Sequence, residues 1–305
     1  MNIGGISTEL GRMFPDLPMR LSESMSRHTT FRIGGPADIW CRPVDMEQLV
    51  AVIRFASERQ IPYLVIGNGS NLLVRDGGIR GIVIETTSLD RITLLPDDMI
   101  ESECGASLTK LASFALANGL KGLEFAYGIP GTVGGAVYMN AGAFGGEMKN
   151  CVVETDYADP RGTICTLCGD EHMFEYRQSF FTHNPGLVIL RTRIRLEKDE
   201  PDRIREKMKE LSNKRQVSQP LQYPSAGSFF KRPKGHFAGK LISDCGLKGL
   251  ACGNARISEM HAGFIINEGD ATCEDVLMLM DIVRREVYQR FGVSLEPEAK
   301  IVGED

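Results

Sequence analysis

The chain has 305 residues of ordinary globular composition, 42% hydrophobic and 25% charged, which is long for one hydrophobic core and predicts two or three domains. A net charge of −5 and a pI near 5.7 argue against general affinity for nucleic acid or an anionic membrane. No apolar run approaches the ~20 residues of a bilayer span, and the opening MNIGGISTELGRMF lacks the basic start and apolar stretch of a secretion signal, so a cytoplasmic protein is expected.

Residues 45–60 carry Leu49, Val52, Ile53 and Ala56 at helical spacing. Pro62 follows, and YLVIG (63–67) and GIVIE (81–85) read as short buried strands. Residues 107–118 predict a helix with Ser107 as N-cap and Gly119 as its stop. The segment 119–146 is glycine-dense and too irregular for a long helix, whereas 151–195 shows the short alternating runs of sheet. Residues 201–215 form a charged helix with Pro201 in its first turn, the best candidate for a boundary before a smaller C-terminal domain. Thr272 and Asp275 make a capping-box start, and Val276, Leu279, Met280, Val283 and Val287 mark a helix stripe ending at Gly292.

The eight cysteines are scattered, as in a reduced compartment. Cys165 and Cys168 make the only C-x-x-C, with His172 nearby. They lie in a segment that alternates like a strand, so structural thiols are expected rather than a metal or redox site. No metal is expected.

Two glycine-rich loops stand out. In IGNGSNLLVRDGG (66–78), Gly67 and Gly69 let backbone amides approach an anion, and Asn68, Ser70 and Asn71 supply short polar side chains. Leu72 stands where a Rossmann fingerprint needs its third glycine, and there is no Walker lysine. In GIPGTVGGAVYMNAGAFGGE (128–147), Gly131, Gly134 and Gly135 create a surface free of side chains, which Asn140 and Gly142 extend. Either loop alone reads as a tight turn between strands. Both together suggest a large dinucleotide gripped between two subdomains.

The stretch YPSAGSFFKRP (223–233) looks like a pocket wall, with Ser228 as one polar atom aimed inward after small Ala226 and Gly227. From Lys209 to Lys240 there are seven Lys or Arg and one acid, Glu210, a basic island suited to a small, multiply charged anion. A solvated helix face plus a charged turn explains the charge run equally well.

The motifs NGSNLLV (68–74), PGTVGGAVYMNAGAFGGE (130–147), FEYRQSFF (174–181), SAGSFFKRP (225–233) and LEPEAKIVG (295–303) occur in that order. Together they resemble the UDP-N-acetylenolpyruvoylglucosamine reductase family from about Thr29 to Gly303. The spacing of 51 positions from Arg177 to Ser228 resembles the shorter subclass, which lacks an inserted segment bearing a substrate-covering tyrosine. The resemblance implies an α+β fold: a two-subdomain FAD-binding fold of the vanillyl-alcohol-oxidase type plus a smaller α+β C-terminal substrate domain. Approximate limits are 1–95 and 96–212 for the FAD-binding subdomains and 213–305 for the substrate domain.

It further implies non-covalent FAD, NADPH as co-substrate, and reduction of UDP-N-acetylglucosamine enolpyruvate to UDP-N-acetylmuramate for peptidoglycan. Flavin N5 delivers hydride to the vinyl carbon, and a proton goes to its neighbour. Such chemistry needs a cation at the substrate carboxylate and a proton source on one face. Arg177 resembles the family's carboxylate-binding arginine, Ser228 its proton donor and Glu298 its paired glutamate. The family commonly has Val-Arg after that glutamate, where this chain has Ala299-Lys300.

Cofactor contacts are expected from Gly67, Asn68, Gly69, Ser70, Asn71, Gly131, Thr132, Gly134, Gly135, Ala136, Asn140 and Gly142. Substrate diphosphate contacts are expected from Lys231 and Arg232, then His236 and Lys240. Glu296 reads as a surface acid and His261 as a structural histidine. The alternatives are an FAD-dependent sugar or alcohol oxidase of the same fold, or a non-catalytic nucleotide-sugar binding module.

Overall fold

The structure is a computed structural model in which residues 2–305 are described. Two compact units emerge, and neither is contiguous in sequence. The first takes the residues up to Leu21, Ile39–Asn68 and Gly81–Lys214; the second takes Ser22–Asp38, Gly69–Arg80 and Arg215–Asp305. The charged helix Pro201–Ser218 contains the last boundary.

The first unit is built on a five-stranded antiparallel sheet in the order Ile164–Cys168, Val152–Ala158, Val188–Arg195, Met99–Glu103, Ile92–Leu95. Tyr63–Ile66 runs parallel to Ile82, Val83, Ile84 and Glu85. The helix Met46–Glu58 starts where the Asp45 carboxylate accepts from Gln48 N at 2.7 Å, and it buries Leu49, Val52, Ile53 and Ala56. Each fully buried Leu, Val or Ile side chain is worth about 1.5–3 kcal/mol relative to exposure. The helix Leu108–Ala117 begins at Ser107, whose hydroxyl accepts from Lys110 N, and buries Leu111 and Ala115 in the same core. A single helical turn and a half, Val133–Tyr138, interrupts the glycine-rich segment.

The second unit has its own core. Phe31, Ile33 and Leu73 from the early segments pack with Phe229, Phe230 and the stripe Val276, Leu279, Val283 and Val287 of the helix Cys273–Phe291. That helix opens with the reciprocal Thr272–Asp275 box and closes at Gly292, φ +67°, whose amide returns to Tyr288. Asp76 adds a second cap, accepting from Cys273 N at 2.9 Å and Glu274 N at 3.1 Å. A four-stranded sheet runs Ser225–Ser228, Phe264–Asn267, Ala255–Ile257, Ala251–Cys252. Lys300–Val302 pairs in parallel with Leu72–Val74, which ties the end of the chain to an early strand. Among the described residues no helix is long and apolar enough to cross a membrane.

Candidate active site

In the first unit the two glycine-rich loops meet. Asn68 Nδ2 donates to the Pro130 carbonyl at 3.1 Å. Gly67 lies so close to Thr132 that a Cβ there would sit 2.1 Å from its Oγ1. Thr132 is buried, and its hydroxyl accepts from Gly135 N at 3.4 Å to start the short helix that holds Ala136. Gly131 and Gly134 are half-buried and Gly135 is exposed, so bare main chain reaches the surface of this unit. Such a surface, flanked by short polar side chains, suits a phosphate.

Arg177 also belongs to the first unit. It occupies the second central position of a tight turn in which Glu175 N donates to Gln178 O (3.1 Å) and Gln178 N to Glu175 O (3.2 Å). Its φ is +58°, in the left-handed region. The guanidinium stacks 5.0 Å from the Tyr176 ring centroid, and Nη2 reaches the Gly142 carbonyl at 3.4 Å. Asn140, expected at the cofactor, is fully buried with its amide engaged inside the protein. Nδ2 donates to Glu147 Oε2 (2.6 Å) and to Glu175 O (3.0 Å), and Oδ1 accepts from Lys149 N (2.9 Å). Its side chain is thus a loop support.

The second unit holds Gly69, Ser70, Asn71, Ser228 and Glu298. Ser225–Ser228 pairs with Phe264–Asn267 through a bulge, since Ser225 faces Ile266 and Ser228 faces Phe264. The extra residue falls beside Gly227, φ +76°, with open space around it. Ser228 is exposed while Phe229 and Phe230 are buried behind it. The paired phenylalanines therefore fasten the strand and leave the hydroxyl outside.

Glu298 is brought beside this strand. Its amide donates to Phe229 O at 2.7 Å, Phe230 bridges Pro297, and Lys231 N donates to Glu296 O at 2.9 Å. Asn71 Nδ2 donates to the Glu298 carbonyl at 3.1 Å, a backbone support that the sequence alone did not suggest. The available signal was the second Asn of NGSN lying directly before a strand.

The expected diphosphate residues differ in their surroundings. Lys231 is ion-paired with exposed Glu296 at 3.1 Å, and Lys240 with Asp244 at 2.7 Å. Arg232 lies over the Phe237 ring at 4.0 Å, and His236 is exposed. His261 Nδ1 accepts from Gly263 N at 3.1 Å, as a structural histidine does.

Two family models match the chain: "FAD binding domain" over residues 37–167, and "UDP-N-acetylenolpyruvoylglucosamine reductase, C-terminal domain" over residues 219–302. A UDP-N-acetylenolpyruvoylglucosamine reductase of Caldanaerobacter subterraneus subsp. tengcongensis is 49% identical over 93% of this chain and 93% of its own length. The chain belongs to this family. A second member, from Clostridioides difficile, is 45% identical over the full length of both chains. The crystal structure of UDP-N-acetylenolpyruvylglucosamine reductase from Thermus caldophilus superposes with a TM-score of 0.79 at 36% identity, covering 93% of this chain and 98% of that one. The α+β fold class expected from the sequence, an FAD-binding part followed by a C-terminal domain, stands with the family.

Proposed function

We propose that this family member reduces UDP-N-acetylglucosamine enolpyruvate to UDP-N-acetylmuramate with NADPH and non-covalent FAD, as a cytoplasmic step of peptidoglycan precursor synthesis. The observation that carries the reading is identity of 45–49% with so-named relatives across nearly the whole chain. The division of the first unit near residue 95 into two FAD-binding subdomains, with residues from about 213 forming the substrate domain, is part of the same proposal.

Gly67, Asn68, Gly131, Thr132, Gly134, Gly135, Ala136 and Gly142 of the first unit, with Gly69, Ser70 and Asn71 of the second, are assigned to hold FAD. The fit rests on the bare main chain around Gly135 and the short polar side chains beside it. FAD, when bound, supplies the hydride relay from NADPH to the vinyl carbon.

The remaining chemistry is assigned to side chains. Arg177 receives the substrate carboxylate, and its planar fork holds more tightly as negative charge builds there. Ser228 delivers the proton. A serine hydroxyl is a weak acid, but transfer to an enolate-like carbon is downhill, so aim matters more than acidity. Glu298, fixed through both its amide and its carbonyl, is assigned to pair with Arg177 and to steady the intermediate by donating from its protonated carboxyl, since an ionised carboxylate would repel the enolate. Arg232, Lys231, His236 and Lys240 are assigned to the diphosphate, where the anion competes with Glu296 and Asp244 for the two lysines.

The test is an absorbance spectrum of the purified protein under anaerobic conditions. The reading expects a yellow protein that NADPH bleaches and the enolpyruvyl substrate recolours. Rapid recolouring by oxygen alone favours an oxidase. A colourless protein that takes up no flavin on reconstitution supports a binding module.

A further inference from the structure

We propose that Asn140 is a positioning residue for Arg177, acting through the Glu175 carbonyl. The inference deepens the reading given above, in which Arg177 receives the substrate carboxylate. It comes from the hydrogen bonds of one buried amide.

Glu175 and Tyr176 are exposed, and Arg177 takes a left-handed φ of +58° without being glycine. The Glu175 carbonyl that closes the turn accepts from two donors, Gln178 N and Asn140 Nδ2. The second Asn140 hydrogen goes to Glu147 Oε2, on the short hairpin in which Gly146 and Glu147 pair with Ala143 and Gly142. That hairpin carries the Gly142 carbonyl touched by the Arg177 guanidinium. One amide therefore joins the turn at the base of the arginine to the hairpin at its tip. Asn140 is itself left-handed at φ +41°, a conformation asparagine accepts more readily than most residues. A carboxylate in its place could accept from Lys149 N but could not donate to either oxygen.

Asn140→Asp is the decisive variant because size and backbone preference are kept while the donor to Glu175 is lost; a proton shared with Glu147, whose Oε2 lies 2.6 Å away, can replace only the hairpin link. Its partner is the double variant N140D/E147Q. There the introduced amide at 147 can donate to the introduced carboxylate, restoring the hairpin link but not the donor to Glu175. Two readouts apply: amide hydrogen exchange of residues 175–178 and of the helix Val133–Tyr138, which needs no substrate, and separate rates for flavin reduction by NADPH and reoxidation by the enolpyruvyl compound.

In N140D the exchange at 175–178 rises by about tenfold while the helix is unchanged, the size expected for loss of a typical hydrogen bond. Reoxidation slows by about 30- to 100-fold, mainly in kcat, because a misplaced group costs aim rather than affinity. N140D also lowers the melting temperature, and the double variant restores that but neither the exchange protection at 175–178 nor the reoxidation rate. Unchanged exchange at 175–178, or a double variant that recovers turnover along with stability, overturns the proposal and leaves Asn140 as hairpin support only. Should N140D fail to fold, the double variant supplies the same readouts. Wild-type protein that never turns over the enolpyruvyl compound defeats the functional reading instead, and the exchange result still decides the anchoring.

Discussion

The amide of Glu298 donates to the carbonyl of Phe229 at 2.7 Å, which sets the glutamate beside the strand that ends at Ser228. The two residues are far apart in sequence, yet this ladder, backed by the Asn71 contact to the Glu298 carbonyl, fixes them as a pair. In the proposed reaction Ser228 acts only after the flavin is reduced. Ser228→Ala should therefore leave bleaching by NADPH within about threefold and slow recolouring by about 10²–10⁴-fold, the usual worth of a positioned proton donor. Stopped-flow absorbance of the two half-reactions checks this. Equal losses in both would remove Ser228 from its assigned role.

Gly67 offers a test of the loop junction. A methyl group there would lie 2.1 Å from Thr132 Oγ1 and 2.8 Å from its Cγ2, and Thr132 is buried with its hydroxyl committed to Gly135 N. Gly67→Ala should destabilise the protein by about 1–3 kcal/mol, as overpacking generally does. Because both loops are assigned to the cofactor, flavin content after purification should fall with the melting temperature. A variant that loses stability yet retains full flavin would separate the junction from the cofactor.

The thiols divide by environment. Burial pushes Cys41, Cys104, Cys151 and Cys273 up to about 12, while Cys168 is exposed and Cys165, Cys245 and Cys252 are half-buried. Since the thiolate is the reactive form, iodoacetamide near about pH 8 should label the native protein at no more than the second group, Cys168 first. Intact mass followed by peptide mapping reads this out. Cys165 and Cys168 sit three apart on the strand Ile164–Cys168, on opposite faces, so mild oxidation should not join them.

Acid should loosen the segment that leads to Arg177. His172 is fully buried; its Nδ1–H donates to the Gly169 carbonyl at 2.8 Å and Nε2 accepts from the Thr155 hydroxyl at 2.9 Å. Its ring also stacks on Phe174 with centroids 4.9 Å apart. Burial holds its pKa below the ordinary 6.5, with the Gly169 hydrogen bond and Glu171 opposing. The unfolded chain therefore takes up the proton first as pH falls. The stability contributed by the neutral ring is complete above about 6.5 and is lost progressively below it, toward the depressed folded value. Melting temperature should decline as pH falls below about 6.5, and His172→Gln should flatten that slope while lowering the plateau. An unchanged slope would show that other groups carry the acid sensitivity.

Local structure was legible where one residue type answers one backbone need. Ser107, Thr272 with Asp275, and Gly292 mark helix ends in the sequence and do so in the fold. The stripe Leu49, Val52, Ile53 and Ala56 is a buried face. Long-range pairing was not legible. Nothing in residues 69–80 announces that Leu72–Val74 will lie against Lys300–Val302 in the second unit, because parallel register is chosen by tertiary packing. The site shows the same division. Ser228 and its two buried phenylalanines follow from local contrast in polarity, whereas the uses of Asn71 and Asn140 depend on carbonyls at Glu298 and Glu175. The short helix Ala238–Asp244 is not legible in the sequence because so few residues carry little periodicity.

The left-handed backbone at Arg177 sets two kinds of selection against each other. An L-residue in that conformation gives up roughly 1–2 kcal/mol that glycine keeps. Lineages bred only to survive heat should discard the guanidinium for glycine or asparagine, and those bred to build cell wall should restore it.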